Sequence, residues 1–140
     1  MYDDIGESEW SAAHARQLHA LFQKEWWTAA RSLDEVDDML RLATHRYAIR
    51  HVASDHLVAF ARVVTDGIFK ALIFDVIVDD AHRGEALGHR LMKRIETDPT
   101  LSRVAHLELY CLPELQPFYE RHGFTRDIGG VGLMRRDHRA

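Results

Sequence analysis

The chain has 140 residues, with 18 Lys and Arg against 22 Asp and Glu and a formal net charge of -4, a balance that gives nucleic acid no electrostatic support as a partner. Its single cysteine, Cys111, excludes an internal disulfide, and the ten scattered histidines form no compact ligand pattern, so no metal is expected. No apolar run approaches the roughly 20 residues of a membrane span, and Asp3, Asp4, Glu7 and Glu9 replace a signal core, so one domain over residues 1–140, cytoplasmic and off the membrane, is expected.

Residues 1–5 suit a short edge strand. From Ser11 onward, Ala15, Leu18, Leu21 and Phe22 recur at helical spacing, a pattern that continues toward Trp26 and predicts a first helix. Ser32, with Glu35 three residues on, is a capping-box signature for a second helix burying Leu33, Val36, Met39 and Leu40. Residues 45–52 and 57–64 read as strands joined by a polar turn, a hairpin. After the turn at Thr65, Asp66 and Gly67, residues 69–78 are apolar enough for a strand covered on both faces, and the centre of the sheet is expected there. The next helix buries Leu87, Leu91 and Ile95 and stops before Pro99, and residues 105–111 form a further strand. Beyond Pro113, Leu115, Phe118, Tyr119 and His122 share one side of a helix that Gly123 caps. Residues 124–135 alternate loosely around Gly129, Gly130 and Gly132, which predicts a terminal hairpin or bulged edge strand. The order is that of an α/β or α+β layer arrangement.

Chemistry concentrates where the strand ending at Val78 gives way to a helix. Gly84 and Gly88 bracket that junction, so the amides from Arg83 to His89 can hold an anion at the positive helix end, with Arg83 and Arg90 adding charge. Two glycines before a helix also serve as a turn and a tight packing contact. Neither a Gly-Lys-Ser/Thr run nor a dinucleotide glycine spacing is present.

The run Arg83-Gly84-Glu85-Ala86-Leu87-Gly88 resembles the acyl-CoA signature of the GNAT superfamily of N-acetyltransferases, with Ala86 in place of the commoner glycine. Phe118-Tyr119-Glu120-Arg121-His122-Gly123-Phe124 is similar to the tyrosine-bearing helix and Gly-Phe that close the family fold, and the element order agrees along nearly the whole chain. The resemblance implies a mixed, largely antiparallel central sheet flanked by helices, with a splay between the two central strands. It implies acetyl-CoA in that splay, the backbone of Ile77 and Val78 on the pantetheine arm, and the amides of Arg83, Gly84, Glu85, Ala86, Leu87, Gly88 and His89 on the pyrophosphate. Leu112 stands where the family often has Asn.

For amine attack on a thioester the resemblance implies Tyr119 as the acid and the amide of Val78 as the oxyanion donor. Asp75, three residues before Val78, is the candidate base, or else a polar residue at a strand edge or bulge. Glu25, Asp66 and Glu108 are weaker candidates, and Cys111 reads better as a small packed residue than as a nucleophile. Trp26, Trp27 and Arg31 lie where the family shapes its acceptor pocket; aromatic walls with Asp75 suit a cationic amine, whereas Arg31 suits an acceptor carrying a carboxylate. The expected reaction is acetylation of a primary amine of a small molecule, with a peptide or protein amine, or a non-catalytic acyl-CoA-binding module, as alternatives. A homodimer through residues 129–134 is also expected.

Overall fold

The computed structural model describes residues 1–139. Five strands form one sheet in sequence order: β1 (Tyr2–Asp4), β2 (His45–His51), β3 (His56–Thr65), β4 (Lys70–Val78) and β5 (His106–Glu108). The first four are antiparallel neighbours, and β5 runs parallel to β4. Helices α1 (Ala12–Phe22) and α2 (Leu33–Leu42) cover one face with Leu18, Phe22, Val36 and Leu40, packed on Phe60 and Ile77. Helix α3 (Leu87–Glu96) covers the other with Leu87, Leu91, Met92 and Ile95, and the short α4 (Gln116–Glu120) adds Tyr119 to that side.

The local signals act as the sequence suggests. Ser32 Oγ accepts from the amide of Glu35 at 3.1 Å while Glu35 returns the bond to the amide of Ser32 at 3.0 Å, so α2 starts with both groups satisfied. Leu33, however, faces solvent and Met39 is only partly covered, because the buried stripe narrows to Val36 and Leu40. Helix α1 ends at Phe22 rather than continuing toward Trp26, and residues 23–30 form successive turns closed by the buried Thr28, whose hydroxyl donates to the Phe22 carbonyl at 2.7 Å.

Several expectations change. The middle strand is β3, buried on both faces, whereas β4 alternates buried with more exposed residues. In β4, Ala71 and Ile73 pack toward α3, yet beyond Asp75 it is Val76 and Val78 that do so, and Ile77 turns to the α1 and α2 side. The switch comes from a bulge: Phe60 stands opposite Ile77 and Arg62 opposite Phe74, so Asp75 and Val76 together face one residue of β3. The apolar run hides this insertion, which makes the strand look covered on both faces.

Strand β5 is shorter than residues 105–111, and residues 124–139 form no strand. The expected terminal hairpin is therefore absent: Gly129 and Gly130 take positive φ as a turn, and residues 131–139 are exposed. Without those strands β5 is an edge, and the dimer expected through residues 129–134 loses its strand. The splay lies between the strand ending at Val78 and the strand after residue 105, the pair the resemblance implies, here β4 and β5, although β5 is an edge and the pair is not central.

Candidate active site

The two parallel strands pair only at Lys70–His106, Ala71–Leu107 and Leu72–Glu108, then part. The gap continues into a cleft of about 870 Å³ lined by both sides of the splay, the loop before α3, α4 and the turns after α1. Asp79 donates its amide to the Val58 carbonyl at 2.8 Å, and Ile77 stands opposite Phe60. Antiparallel pairs alternate between exchanging and not exchanging bonds. The peptide groups of Ile77 therefore turn toward β3, while those of Val76 and Val78 turn to the gap. Of the two residues expected to present backbone to a ligand, Val78 does so and Ile77 does not; Val76 takes its place.

At the other end, the chain leaves β4 through a short 3₁₀ turn at Asp80–His82 and swings into α3. Gly84 adopts φ +86° and Ala86 φ +57°, left-handed positions in quick succession that turn the chain into α3 along the wall of the cleft. Helix α3 has no side-chain cap, and among the described residues the amides of 84–89 donate to no protein acceptor. That is the electrostatic signature of an anion cradle at a helix N-terminus. Arg83, Gly84, Ala86, Leu87, Gly88 and His89 line the cleft; Glu85 does not. A Cβ on Gly88 would meet the Phe118 ring at 3.4 Å, so α3 and α4 are in close contact at this glycine.

Tyr119 lines the cleft near the splay, almost fully buried, and burial, with a smaller contribution from Cys111, pushes its hydroxyl up to about 12. It is a proton-bearing donor throughout the physiological range. The Cys111 thiol is also pushed up, by burial and then by Glu114, so it stays protonated and unsuited to nucleophilic attack.

Asp75 is not a base facing the cleft. It sits in the bulge at φ +57° with a side chain 5% exposed, and its carboxylate accepts from Arg31 Nη1 and Nη2 at 2.8 and 2.9 Å and from Arg62 Nε at 2.7 Å. Burial works to raise its pKa, and the two guanidiniums outweigh that and hold it below the usual carboxylate range. The same contacts remove Arg31 from the acceptor site, because its fork is occupied by Asp75. Asp66 binds the amides of Ile68, Phe69 and Lys70 in the β3–β4 turn, and Glu108 pairs with Lys70; neither reaches the cleft.

Trp26 and Trp27 do line it, 78% and 41% exposed. Beside them is the carboxylate that sequence reasoning ranked low. Glu25 lines the cleft and pairs with Arg83 at 3.1 Å, while its neighbour Lys24 pairs with Asp79 at 3.2 Å. These bridges tie the tryptophan turns to the cradle loop. No spacing motif announces Glu25, because turns after α1 place it; its only sequence signal is its position beside the tryptophans.

The model of the acetyltransferase (GNAT) domain matches residues 43–126, more than half of the chain. GCN5-related N-acetyltransferase 1, chloroplastic, of Arabidopsis thaliana is 38% identical over 77 residues, covering 55% of this chain and 39% of that protein. Serotonin N-acetyltransferase 2, chloroplastic, of Oryza sativa subsp. japonica is 39% identical over 77 residues, covering 55% and 38%. The chain thus spans about two-fifths of the length of these relatives. A crystal structure of a GNAT-family protein from Xanthomonas campestris pv. campestris superposes with a TM-score of 0.81 over 98% of this chain and 93% of that one, at 24% identity, a likeness of fold. Cradle, splay and matched domain agree: the chain belongs to the GNAT family of acetyltransferases.

Proposed function

We propose that this protein transfers the acetyl group of acetyl-CoA to the primary amine of a small molecule. The observation that carries the reading is the continuity of one cleft from the unpaired amides of residues 84–89, past the free peptide groups of Val76 and Val78, to the hydroxyl of Tyr119. The cradle fits a diphosphate and the splay fits an extended pantetheine arm, which adds to β4 as a strand would. When bound, acetyl-CoA supplies an activated thioester.

The protein's own residues do the rest. The Val78 amide donates to the carbonyl oxygen as charge develops on it. Tyr119 donates a hydrogen bond at the departing sulfur. With its pKa near 12 against about 8.5 for a thiol, complete proton transfer costs ~5 kcal/mol, so donation rather than transfer is its part. Glu25 receives the amine proton directly or through one water, and Trp26 and Trp27 offer aromatic faces to an apolar or cationic amine. A relative named for serotonin supports an amine of this kind. The single cysteine suits a reducing compartment such as the cytoplasm.

Thiol release from acetyl-CoA across a panel of aryl-alkyl, aliphatic and sugar amines and lysine peptides tests the reading. Amine-dependent release, greatest with small aromatic amines and cut at least tenfold by Glu25→Gln, is expected. Release with peptides alone would move the acceptor to a protein, and CoA binding with no acceptor-dependent release would make the chain a binding module.

A further inference from the structure

Three titratable side chains stand in line from the last turn of α3 to the cradle end of the cleft, unused by the reaction above. Oε1 of Glu96, in the last turn of α3, lies 2.6 Å from Nδ1 of His122, and Nε2 of that ring lies 3.1 Å from Nδ1 of His89. The His122 side chain is 4% exposed, whereas His89 is open to solvent, and both residues line the cleft. His89 and Glu96 sit two turns apart on α3, and His122 bridges them from beyond α4.

The bonds dictate where the protons are. A carboxylate only accepts, so Nδ1 of His122 carries a hydrogen toward Glu96. Nε2 of a neutral His122 is then an acceptor, which makes His89 donate from Nδ1. The remaining nitrogen, Nε2 of His89, is the one position where a further proton can be added without breaking a bond in the line.

We propose that His89 is a proton-gated phosphate ligand: a phosphate of acetyl-CoA at the N-terminus of α3 is met by His89 as an imidazolium, balanced through His122 by Glu96. The proposal rests on the acetyl-CoA reading of the cleft. One proton passes from the buffer to Nε2 of His89 on binding, and no other covalent bond changes. In the free protein the surrounding charges oppose one another. Glu96 and, before the helix, Glu85 favour the imidazolium; Lys93, 3.8 Å from Glu96 on α3, Arg121 beside α4 and Arg83 in the loop disfavour it. An incoming phosphate tips that balance, because an ionised donor and acceptor make the stronger hydrogen bond.

Calorimetry of the full chain with CoA, in two buffers of different ionisation enthalpy between pH 6.5 and 8, counts the protons taken up. The wild type takes up protons, and CoA affinity falls by up to about tenfold per pH unit as the gate opens. His89→Gln keeps an amide donor, binds CoA more weakly and loses the uptake; Glu96→Gln reduces it. Dephospho-CoA assigns the source: uptake lost with it identifies the 3′-phosphate, and uptake kept identifies the diphosphate. Protonation of CoA itself cancels in the difference between variants. Equal uptake by the wild type and His89→Gln overturns the proposal while leaving the acetyl-CoA reading intact, whereas no CoA binding by the wild type overturns that reading and the gate with it.

Discussion

At Asp75 a carboxylate, two guanidiniums and a left-handed backbone are concentrated in one residue. Removing the charge without the shape isolates the electrostatic part, and Asn also tolerates the left-handed region. Asp75→Asn is expected to cost about 3–5 kcal/mol, since it leaves two largely covered arginines without their partner. Urea unfolding at pH 7 measures this. The pKa of Asp75 is lowered by folding, so the stabilisation is complete above the unfolded carboxyl value of about 3.9 and fades as pH falls through the lower folded value. The gap between wild type and variant therefore narrows in acid. Tyr119 carries a kinetic prediction: Tyr119→Phe lowers kcat by about 10²-fold, at the lower end for an acid that donates without fully transferring. With its pKa near 12, the wild-type rate shows no descending limb from this group up to about pH 10, which a pH profile of kcat checks. The motif brings Tyr119 to the cleft, whereas Asp75 points away from it toward Arg62 on β3 and Arg31 in the turn before α2, partners that spacing along the chain does not show.

Among elements, the cradle loop is the strained one. Ala86 holds φ +57°, a conformation costing a residue with a Cβ roughly 1–2 kcal/mol, partly offset in a glycine by the greater freedom of its unfolded state. Ala86→Gly is thus expected to stabilise the protein by about 0.5–1 kcal/mol, read as a rise in the midpoint of thermal unfolding with the amides of the cradle unmoved. Helices and hairpin were legible because each carries a local signature: Ser32 with Glu35, the stripe of Leu87, Leu91 and Ile95, and the polar turn after β2. The terminal strand pair was not. Its glycines and alternation fit a hairpin as well as a turn with an exposed tail, and only tertiary packing separates the two.

For the molecule as a whole, the core and the cleft share residues such as Leu87 and Tyr119, and the C-terminal tail belongs to neither. The buried clusters draw on residues as far as Tyr119, and the described residues after Gly130 are exposed, apart from distant contacts such as Arg139 with Glu35. A chain ending at Gly130 is expected to unfold within about 1 kcal/mol of the full chain in urea. The cradle end of the cleft is easier to read from sequence than the tryptophan end, because the cradle is one contiguous run while the other wall joins turns after α1 to a loop some sixty residues later.

The bulge in β4 also changes the parity of the strand. Before it, odd-numbered residues face α3; after it, even-numbered ones do. Deleting Asp75 would restore a regular ladder and leave Val76, Ile77 and Val78 on their present sides, since Ile77 would still stand opposite Phe60 and Val78 opposite Ala59; what would go is the local bend and the carboxylate that holds Arg31 and Arg62. The inserted residue is thus tolerated by the register on both flanks, and its cost falls on one place: the strand must bend where two guanidiniums meet a single buried carboxylate.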